Sequence, residues 1–341
     1  MSVTSSKGAR RATIVAFALV AQLVLAPSAR PATPVVAPLD PALAARIFAL
    51  DPEHLTDRDV RDVLSHAPAP RIFLLQGSLA MVTMQPFAEF LVAMGYPEER
   101  LRNPRDGAMS YSSFGTSEAL AGSLAWYYEH EGMMPMLIGH SHGGMLAIRT
   151  LHELAGAFAE SIAVSNPLTG EAEPRSAIVD PVTGLERPVV GLKVRYAAAI
   201  ATGKLPRILL GQWSMLPRLR RIPDTVVEFT GFSIPWDPIA GDFGGSDPYE
   251  ATGSAAVRNV TLPASYSHIG VPQARHLAAN ATTRAWIDAY APGAAPAPLP
   301  NDADADTTNI LHAADIWYSI RKHWCLEAQR LLRAPRGEAA H

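Results

Sequence analysis

The chain of 341 residues contains a single cysteine, Cys325, which excludes an intramolecular disulfide and a zinc site built on several cysteines. It contains no block of basic residues and has a net charge of −3, so nothing in its charge supports a nucleic-acid partner. Charged residues make up only 18% of the chain, whereas 48% of residues are hydrophobic. This balance excludes a disordered chain and indicates one large domain or two small ones.

The N-terminus lacks an apolar run long enough to span a membrane. Its apolar run, Ala12–Ala26, is shorter than the ~20 residues that a spanning helix needs. Three basic residues precede this run, and small residues with Pro27 follow it, which is the pattern of a secretory signal. We therefore predict a signal peptide over residues 1–28 and a secreted or periplasmic mature protein. An uncleaved membrane anchor is the alternative.

The middle of the chain alternates between short apolar strands and amphipathic helices. Five segments have the pattern of buried strands: Ile72–Leu75, Met134–Ile138, Ser161–Val164, Thr225–Phe229 and Val257–Leu262. Four segments space their apolar residues as helices do: Gln85–Met94, Ser117–His130, Gly143–Leu154 and Gln273–Tyr290. The alternation predicts an α/β fold over residues 71–290, with a mostly parallel sheet and helices on both of its faces.

Two regions interrupt or precede this alternation. Residues 29–70 form an N-terminal segment with two short predicted helices, Pro41–Leu50 and Asp57–Leu64. Residues 168–221 carry many prolines, and their apolar residues follow neither the strand nor the helix period. We interpret them as an insertion with a helix around Leu192–Thr202.

The C-terminal part of the chain falls into two pieces. Residues 291–306 are rich in Pro, Ala and Asp and are predicted to be a linker of low complexity. Residues 307–341 are predicted to be a helical extension, with a helix over Thr307–Arg333. One side of that helix carries a strongly apolar stripe, which packs either on the core or on a partner.

A motif for nucleophilic catalysis lies in the second predicted strand–helix unit. Gly139–Gly143 reads Gly-His-Ser-His-Gly and matches the pattern Gly-x-Ser-x-Gly, directly after a strand and directly before a helix. A nucleophile on a strained turn tolerates only small neighbours, and the N-terminus of a helix favours a developing anion. We predict Ser141 as the nucleophile.

A catalytic serine needs a base and an acid that orients the base. His268 is the best base candidate because it lies in a loop just after the last predicted strand, whereas His276 falls inside the following helix. Asp237 follows the fourth predicted strand and has apolar neighbours that would bury it. We predict Asp237 as the acid, with Asp242 and Asp247 as rivals in the glycine-rich loop that follows.

An oxyanion hole needs two backbone N–H donors. The sharp turn at Gly77 allows the N–H of Ser78 to be the first, and the N–H of His142, directly after the nucleophile, is the second. The loop Gly241–Asp247 contains oxygen ligands that suit calcium, but a solvated loop is the simpler interpretation. We therefore predict no metal and no organic cofactor.

Together these residues resemble the α/β-hydrolases of the lipase and esterase kind. The resemblance covers roughly residues 71–290 and rests on the turn at Gly77, the motif at Ser141, and Asp237 and His268 in the order Ser, Asp, His. It implies that residues 168–221 form a cap over the site. Many lipases have His-Gly in the oxyanion turn, where this chain has Gln76 before the glycine.

The expected function is a secreted serine hydrolase that cleaves carboxylic esters, lipid or other acyl esters among them, through an acyl-enzyme on Ser141. The later part of the insertion contains Ile208, Leu209, Leu210 and Trp213 near several arginines, which suits an apolar acyl pocket and contact with a lipid surface. The expected partner is thus a small-molecule or lipid ester, not a nucleic acid. An amidase, peptidase or acyltransferase with the same triad is one alternative, and a non-catalytic binding protein on the same fold is another.

Overall fold

A computed structural model of the chain describes residue 2 and residues 39–78, 82–244, 247–294, 298–300 and 305–333. The predicted signal peptide, residues 1–28, lies outside the described residues except for residue 2. The described residues from 39 onward belong to one compact unit. None of the helices in these ranges is both long enough and apolar enough to cross a membrane.

The strands and helices follow the predicted alternation in large part. The strands are β1 (Ile72–Leu75), β2 (Met136–His140), β3 (Ala177–Val179), β4 (Glu186–Pro188), β5 (Val194–Ile200), β6 (Arg221–Ile222), β7 (Val226–Ser233), β8 (Glu250–Ala251) and β9 (Ala256–Thr261). The α-helices are α1 (Pro41–Ala49), α2 (Asp57–Asp62), α3 (Gln85–Ala93), α4 (Ser117–Glu131), α5 (His142–Leu154), α6 (Leu205–Leu209), α7 (Arg275–Ala279), α8 (Ala281–Ala289) and α9 (Ile310–Arg333).

A five-stranded sheet forms the centre of the molecule. Its strands lie in the order β1-β2-β5-β7-β9, and every neighbouring pair is parallel. Successive strand residues point to opposite faces. Phe73 and Leu75 of β1 pack in one hydrophobic cluster with α4 and α5, whereas Ile72 and Leu74 pack in another with α3 and α9. The predicted α/β fold, a mostly parallel sheet with helices, is confirmed.

The strand β5 lies in the middle of the sheet, inside residues 168–221. The predicted helix around Leu192–Thr202 is therefore wrong, and the sheet pattern does not break over that whole range. Three consecutive alanines favour a helix by intrinsic propensity, but packing overrides this preference here. A Cβ atom on Gly144 of α5 would lie 3.2 Å from the Cβ of Ala199, so the helix approaches β5 closely and small strand residues are needed.

Two other elements differ from expectation. The segment Ser161–Val164 is not a strand of the sheet, although Ile162 and Val164 are buried. A short apolar run cannot be distinguished from a buried loop by its period alone. The single helix predicted over Gln273–Tyr290 is divided into α7 and α8, because the Asn280 side chain accepts hydrogen bonds from two backbone N–H groups and starts a new helix.

The C-terminal helix α9 is part of the core rather than an appended extension. Trp317, Ile320 and Trp324 on its apolar stripe are fully buried in the same cluster as α3. The indole N–H of Trp324 also donates a hydrogen bond of 3.0 Å to the carbonyl of Pro68. The stripe therefore packs on the core and not on a partner.

Candidate active site

Ser141 occupies the sharp turn between β2 and α5. Its φ is 52° and its ψ is −112°, a backbone conformation that non-glycine residues rarely adopt. The N–H of Ser141 donates to the carbonyl of Ile200 at 2.8 Å, and the Thr202 hydroxyl donates to the Ser141 carbonyl at 3.0 Å. Two hydrogen bonds from the end of β5 thus hold the strained turn in place.

The two glycines of the motif allow the strand and the helix to meet at this turn. A Cβ atom on Gly139 would lie 2.3 Å from the carbonyl of Gly143, and a Cβ on Gly143 would lie 2.1 Å from the carbonyl oxygen of Leu75. Both distances are far below van der Waals contact with rigid backbone. Only glycine fits at either position, which explains the motif in terms of packing.

Three loops bring Ser141, His268 and Asp237 together at the carboxyl edge of the sheet. They follow β2, β9 and β7 respectively. The Ser141 hydroxyl donates to Nε2 of His268 at 3.0 Å, and Nδ1–H of His268 donates to Oδ2 of Asp237 at 2.6 Å. In this arrangement His268 can accept the serine proton while the carboxylate fixes its tautomer and stabilises the imidazolium.

The carboxylate of Asp237 is held in its charged form. Burial alone would raise its pKa, but the hydrogen bond and charge of His268 and two backbone N–H groups outweigh burial and lower the pKa below its ordinary value. These N–H groups belong to Ile239 and Ala240 and donate to Oδ1 at 3.0 and 3.1 Å. An ionised partner is therefore available to His268 throughout the neutral range.

The two rival acids have other partners. Asp242 accepts a hydrogen bond from the N–H of Gly244 at 2.8 Å. Asp247 forms ion pairs with Lys204 at 2.7 Å and Arg220 at 2.8 Å. Neither carboxylate is hydrogen-bonded to His268, so of the three acidic candidates Asp237 is the one that contacts the histidine.

His140 supports the loop that carries the candidate base, a role that sequence reasoning missed. Its Nε2–H donates to the backbone carbonyl of His268 at 2.9 Å, and the two rings lie 5.0 Å apart. Burial, with a contribution from the charge of His268, lowers the pKa of His140 to about 3, so the ring stays neutral. The motif gave no sign of this contact, because the carbonyl belongs to a residue 128 positions away.

The turn after β1 lies against Ser141. A Cβ atom on Gly77 would lie 3.5 Å from the Cβ of Ser141 and 3.1 Å from Nδ1 of His140. Ser78, a predicted oxyanion donor, follows directly and is exposed. The other predicted donor, His142, is the first residue of α5, where backbone N–H groups have no partner inside the helix. His142 thus adjoins Ser141 along the chain, and Ser78 follows the glycine that packs against it.

The side chain of His142 joins this turn to the segment after β5. Its Nδ1–H donates to the Ser113 hydroxyl at 3.0 Å, which donates in turn to the carbonyl of Gly77 at 3.3 Å. On the other side, the amide of Gln212 donates to Nε2 of His142 at 2.9 Å. Burial, with a smaller contribution from the charge of Arg207, lowers the pKa of His142 to about 4. The ring is therefore neutral, so one of its nitrogens can accept a hydrogen bond from Gln212 while the other donates to Ser113.

Comparisons with known proteins add little to this geometry. No protein-family model and no curated protein matches the chain. It is similar to a solved structure described as "RedJ with PEG molecule bound in the active site", with 18% identity and a TM-score of 0.26, over 60% of this chain and 86% of that chain. Among the described residues, no three His, Cys, Asp or Glu side chains are grouped so as to hold a metal ion.

Proposed function

We propose that the protein is an exported serine hydrolase of the α/β-hydrolase kind that cleaves carboxylic esters. The observation that carries the proposal is the continuous hydrogen-bond chain from Ser141 through His268 to Asp237, which starts on a strained turn. A buried histidine beside a carboxylate is common in proteins. A serine within 3.0 Å of the other ring nitrogen, on a backbone with positive φ, favours catalysis over a structural role.

The proposed reaction has two halves, and His268 acts as base and then as acid in each. Ser141 attacks the ester carbonyl while His268 takes its proton, and the oxyanion accepts hydrogen bonds from the N–H groups of His142 and Ser78. The protonated His268 gives its proton to the departing alcohol, which leaves an acyl-enzyme. In the second half, His268 takes a proton from the water that attacks the acyl carbonyl. The protonated His268 then returns a proton to Ser141 Oγ as the bond to the acyl group breaks and the carboxylic acid leaves.

We further propose that residues 205–216, which contain α6, form a cap segment over the acyl site. Gln212 connects this segment to His142. Apolar side chains exposed on the segment or beside the triad are Phe114, Ile208, Leu209, Leu210, Trp213, Trp236, Ile239 and Ile269. Exposed apolar surface of this kind near a candidate nucleophile favours an apolar acyl chain, from a small-molecule or lipid ester, and contact with a lipid surface.

Labelling with a fluorophosphonate probe tests the central part of the proposal. We expect one label per chain on Ser141, which peptide mapping after digestion identifies, and no label on the Ser141→Ala variant. Ser267, beside the candidate base, serves as the matched control, since Ser267→Ala should still be labelled. A folded wild-type protein that takes no label would favour a non-catalytic binding protein.

A panel of matched esters and amides then identifies the bond. Faster release from esters supports the esterase, whereas faster release from amides indicates an amidase or peptidase. Transfer to an added alcohol in preference to water indicates an acyltransferase.

Protein sequencing of exported material tests the predicted signal peptide. It should find a mature chain that begins after Ser28 or close to it. A chain that begins at Met1 in a membrane fraction would favour an uncleaved membrane anchor.

A further inference from the structure

Arg207 is a buried cation without an acidic partner. Its side chain is 1% exposed, and no salt bridge to it is formed among the described residues. One of its guanidinium nitrogens, Nη1, donates to the side-chain oxygen of Gln212, while Nε has no hydrogen-bond partner. Burial lowers the pKa of Arg207 to about 10, which still leaves it charged at neutral pH. A buried charge without an ionic partner carries a large desolvation free energy, so a partner for it is expected.

Neighbouring cations show that the situation of Arg207 is unusual. Lys204, three residues earlier, is exposed and pairs with Asp247, and Arg220 pairs with the same carboxylate. The other buried arginine among the described residues, Arg321, lies 3.7 Å from Asp288. Arg321 also has guanidinium nitrogens without a hydrogen-bond partner, so Arg207 differs from these cations in having no acidic partner among the described residues.

The guanidinium of Arg207 belongs to the surroundings of Ser141. Gln212 accepts from it and donates to His142, the residue after Ser141. The charge of Arg207 acts on the same histidine, since it contributes to the low pKa of His142. A single amide side chain therefore separates the unpaired cation from the imidazole of His142, whose backbone N–H is a candidate oxyanion donor.

We propose that Arg207 binds a negatively charged oxygen group of the substrate, a carboxylate or a phosphate, close to the ester that Ser141 attacks. The inference rests on the proposed function and narrows its substrate class to esters that carry an anion as well as an apolar part. Guanidinium donors fit carboxylate and phosphate oxygens in pairs, and such charge-assisted hydrogen bonds are strong where water is excluded. The substrate anion would supply the partner that the protein itself does not.

Two pairs of matched esters test this assignment and separate the two sources of the anion. The first pair is para-nitrophenyl hydrogen adipate and its neutral methyl ester, and the second is glyceryl monobutyrate with and without a phosphate on the glycerol. For at least one pair the wild-type kcat/KM should favour the anionic member. Arg207→Met should lower that preference roughly 10- to 100-fold, the range for one charge-assisted hydrogen bond. Arg207→Lys, which keeps a point charge without the fork, should retain part of it.

Lys204→Met is the matched control, because it removes one positive charge from the same stretch of chain. It should leave the ratio of anionic to neutral kcat/KM unchanged, whereas an equal fall for both variants would indicate long-range attraction and overturn the assignment. An Arg207→Met variant that loses activity on both members of each pair equally would also overturn it. Because the readout is a ratio measured on one protein sample, partial unfolding of the variant does not imitate the expected result.

Calorimetry keeps the inference apart from the proposed hydrolysis. The Ser141→Ala protein should bind the hydrogen adipate ester at least tenfold more tightly than the methyl ester, and adding Arg207→Met should abolish the difference. If the wild type hydrolyses neutral esters through Ser141 but neither assay finds a preference for the anion, Arg207 has another role and the hydrolase stands. If calorimetry finds the preference and no ester is cleaved, the anion site stands and the hydrolase is wrong.

Discussion

Within the described part of the chain, a histidine is buried beside a carboxylate at two positions, and the surroundings of the two pairs differ. At the carboxyl edge of the sheet, His268 contacts Asp237 at 2.6 Å. On the face of the sheet covered by α9, His323 contacts Glu228 at 3.2 Å. Both pairs are buried. Glu228 lies on β7, and Asp237 lies in the loop that follows β7. Residue types alone would not separate them.

In the second pair, the carboxylate is saturated with hydrogen bonds. Glu228 accepts hydrogen bonds from His323, Lys322, Ser319 and Arg258, so its charge is neutralised by fixed cations. The other ring nitrogen of His323 has no hydrogen-bond partner, whereas that of His268 accepts from Ser141. The comparison teaches that a buried histidine–carboxylate pair indicates catalysis only when a nucleophile on a strained backbone completes it.

Replacing the serine of each cluster with alanine should give the largest difference in kcat between the two clusters. Ser141→Ala should fold normally and lose roughly three orders of magnitude or more in kcat, because the nucleophile is gone. Ser319→Ala, the matched change in the other network, should keep kcat per folded molecule within about twofold and lose about 1 kcal/mol of stability with its hydrogen bonds. Ester hydrolysis and urea denaturation of both variants check this. Near-normal turnover in a folded Ser141→Ala protein would remove the distinction between the clusters.

Changing the carboxylate of the first pair should have the next largest effect. Asp237→Asn should reduce kcat by roughly two orders of magnitude or more, since His268 loses the partner that fixes its tautomer. Asp242→Asn and Asp247→Asn should change kcat far less, because neither side chain contacts His268. Steady-state kinetics on one ester compares the three variants. If Asp242→Asn is the most damaging, the acid has been misassigned while the nucleophile and base remain.

The carboxylate of the second pair should affect stability rather than turnover. Glu228→Gln removes an anion that Arg258, Lys322 and His323 share and should lower the free energy of unfolding by about 2 kcal/mol, the value of a hydrogen bond to a charged group. The loss is limited because Asp315 still pairs with Arg258 and Glu53 with Lys322. Burial would raise the pKa of Glu228, but His323 and Lys322 outweigh it and lower the pKa to about 2. A depressed carboxyl pKa contributes stability above its unfolded value of 4.5, and the contribution is lost as pH falls toward 2.

Denaturation at several pH values between 7 and 3 tests this point. Wild-type stability should fall in the acid window, and the Glu228→Gln variant should show a flatter dependence there. Its kcat per folded molecule should match the wild type. Equal stabilities at neutral pH would mean that the network contributes little, and a large fall in kcat would connect the second cluster to the reaction.

Sequence patterns predicted the fold where the local signal and the packing agree. The strand Ile72–Leu75 was predicted with the bounds it has, and the start of α5 follows from the glycines around Ser141. The central strand β5 was missed because its three alanines have the propensity of a helix, and only contact with α5 makes a small strand residue favourable. The core position of α9 likewise depends on contacts made across more than 200 residues of sequence.

The candidate site was predictable as far as a motif or chain order describes it. The positions of Ser141, His268 and Asp237 relative to strands predict one site, and the three side chains lie within hydrogen-bond distance. The roles of His140, Gln212 and Arg207 were not predictable in this way. Each depends on a partner brought near by tertiary folding, and a buried arginine without an acid cannot be distinguished in sequence from one on the surface.

The smallest expected effect concerns the exposed apolar side chains near the His268–Asp237 pair. The His323–Glu228 pair differs because α9 covers it. Trp213 is 61% exposed on the proposed cap segment, and Leu216 is half-buried at its end. Replacing both with alanine should lower kcat/KM for long acyl esters about tenfold more than for acetate, a part of the ~1.5–3 kcal/mol that each fully buried side chain contributes. Leu326→Ala, an exposed leucine on α9, is the matched control and should leave the ratio unchanged. A series of esters of increasing chain length measures it. If all lengths fall equally, or if acetate is the best wild-type substrate, the segment does not bind an acyl chain, and the apolar difference between the two clusters has no catalytic meaning.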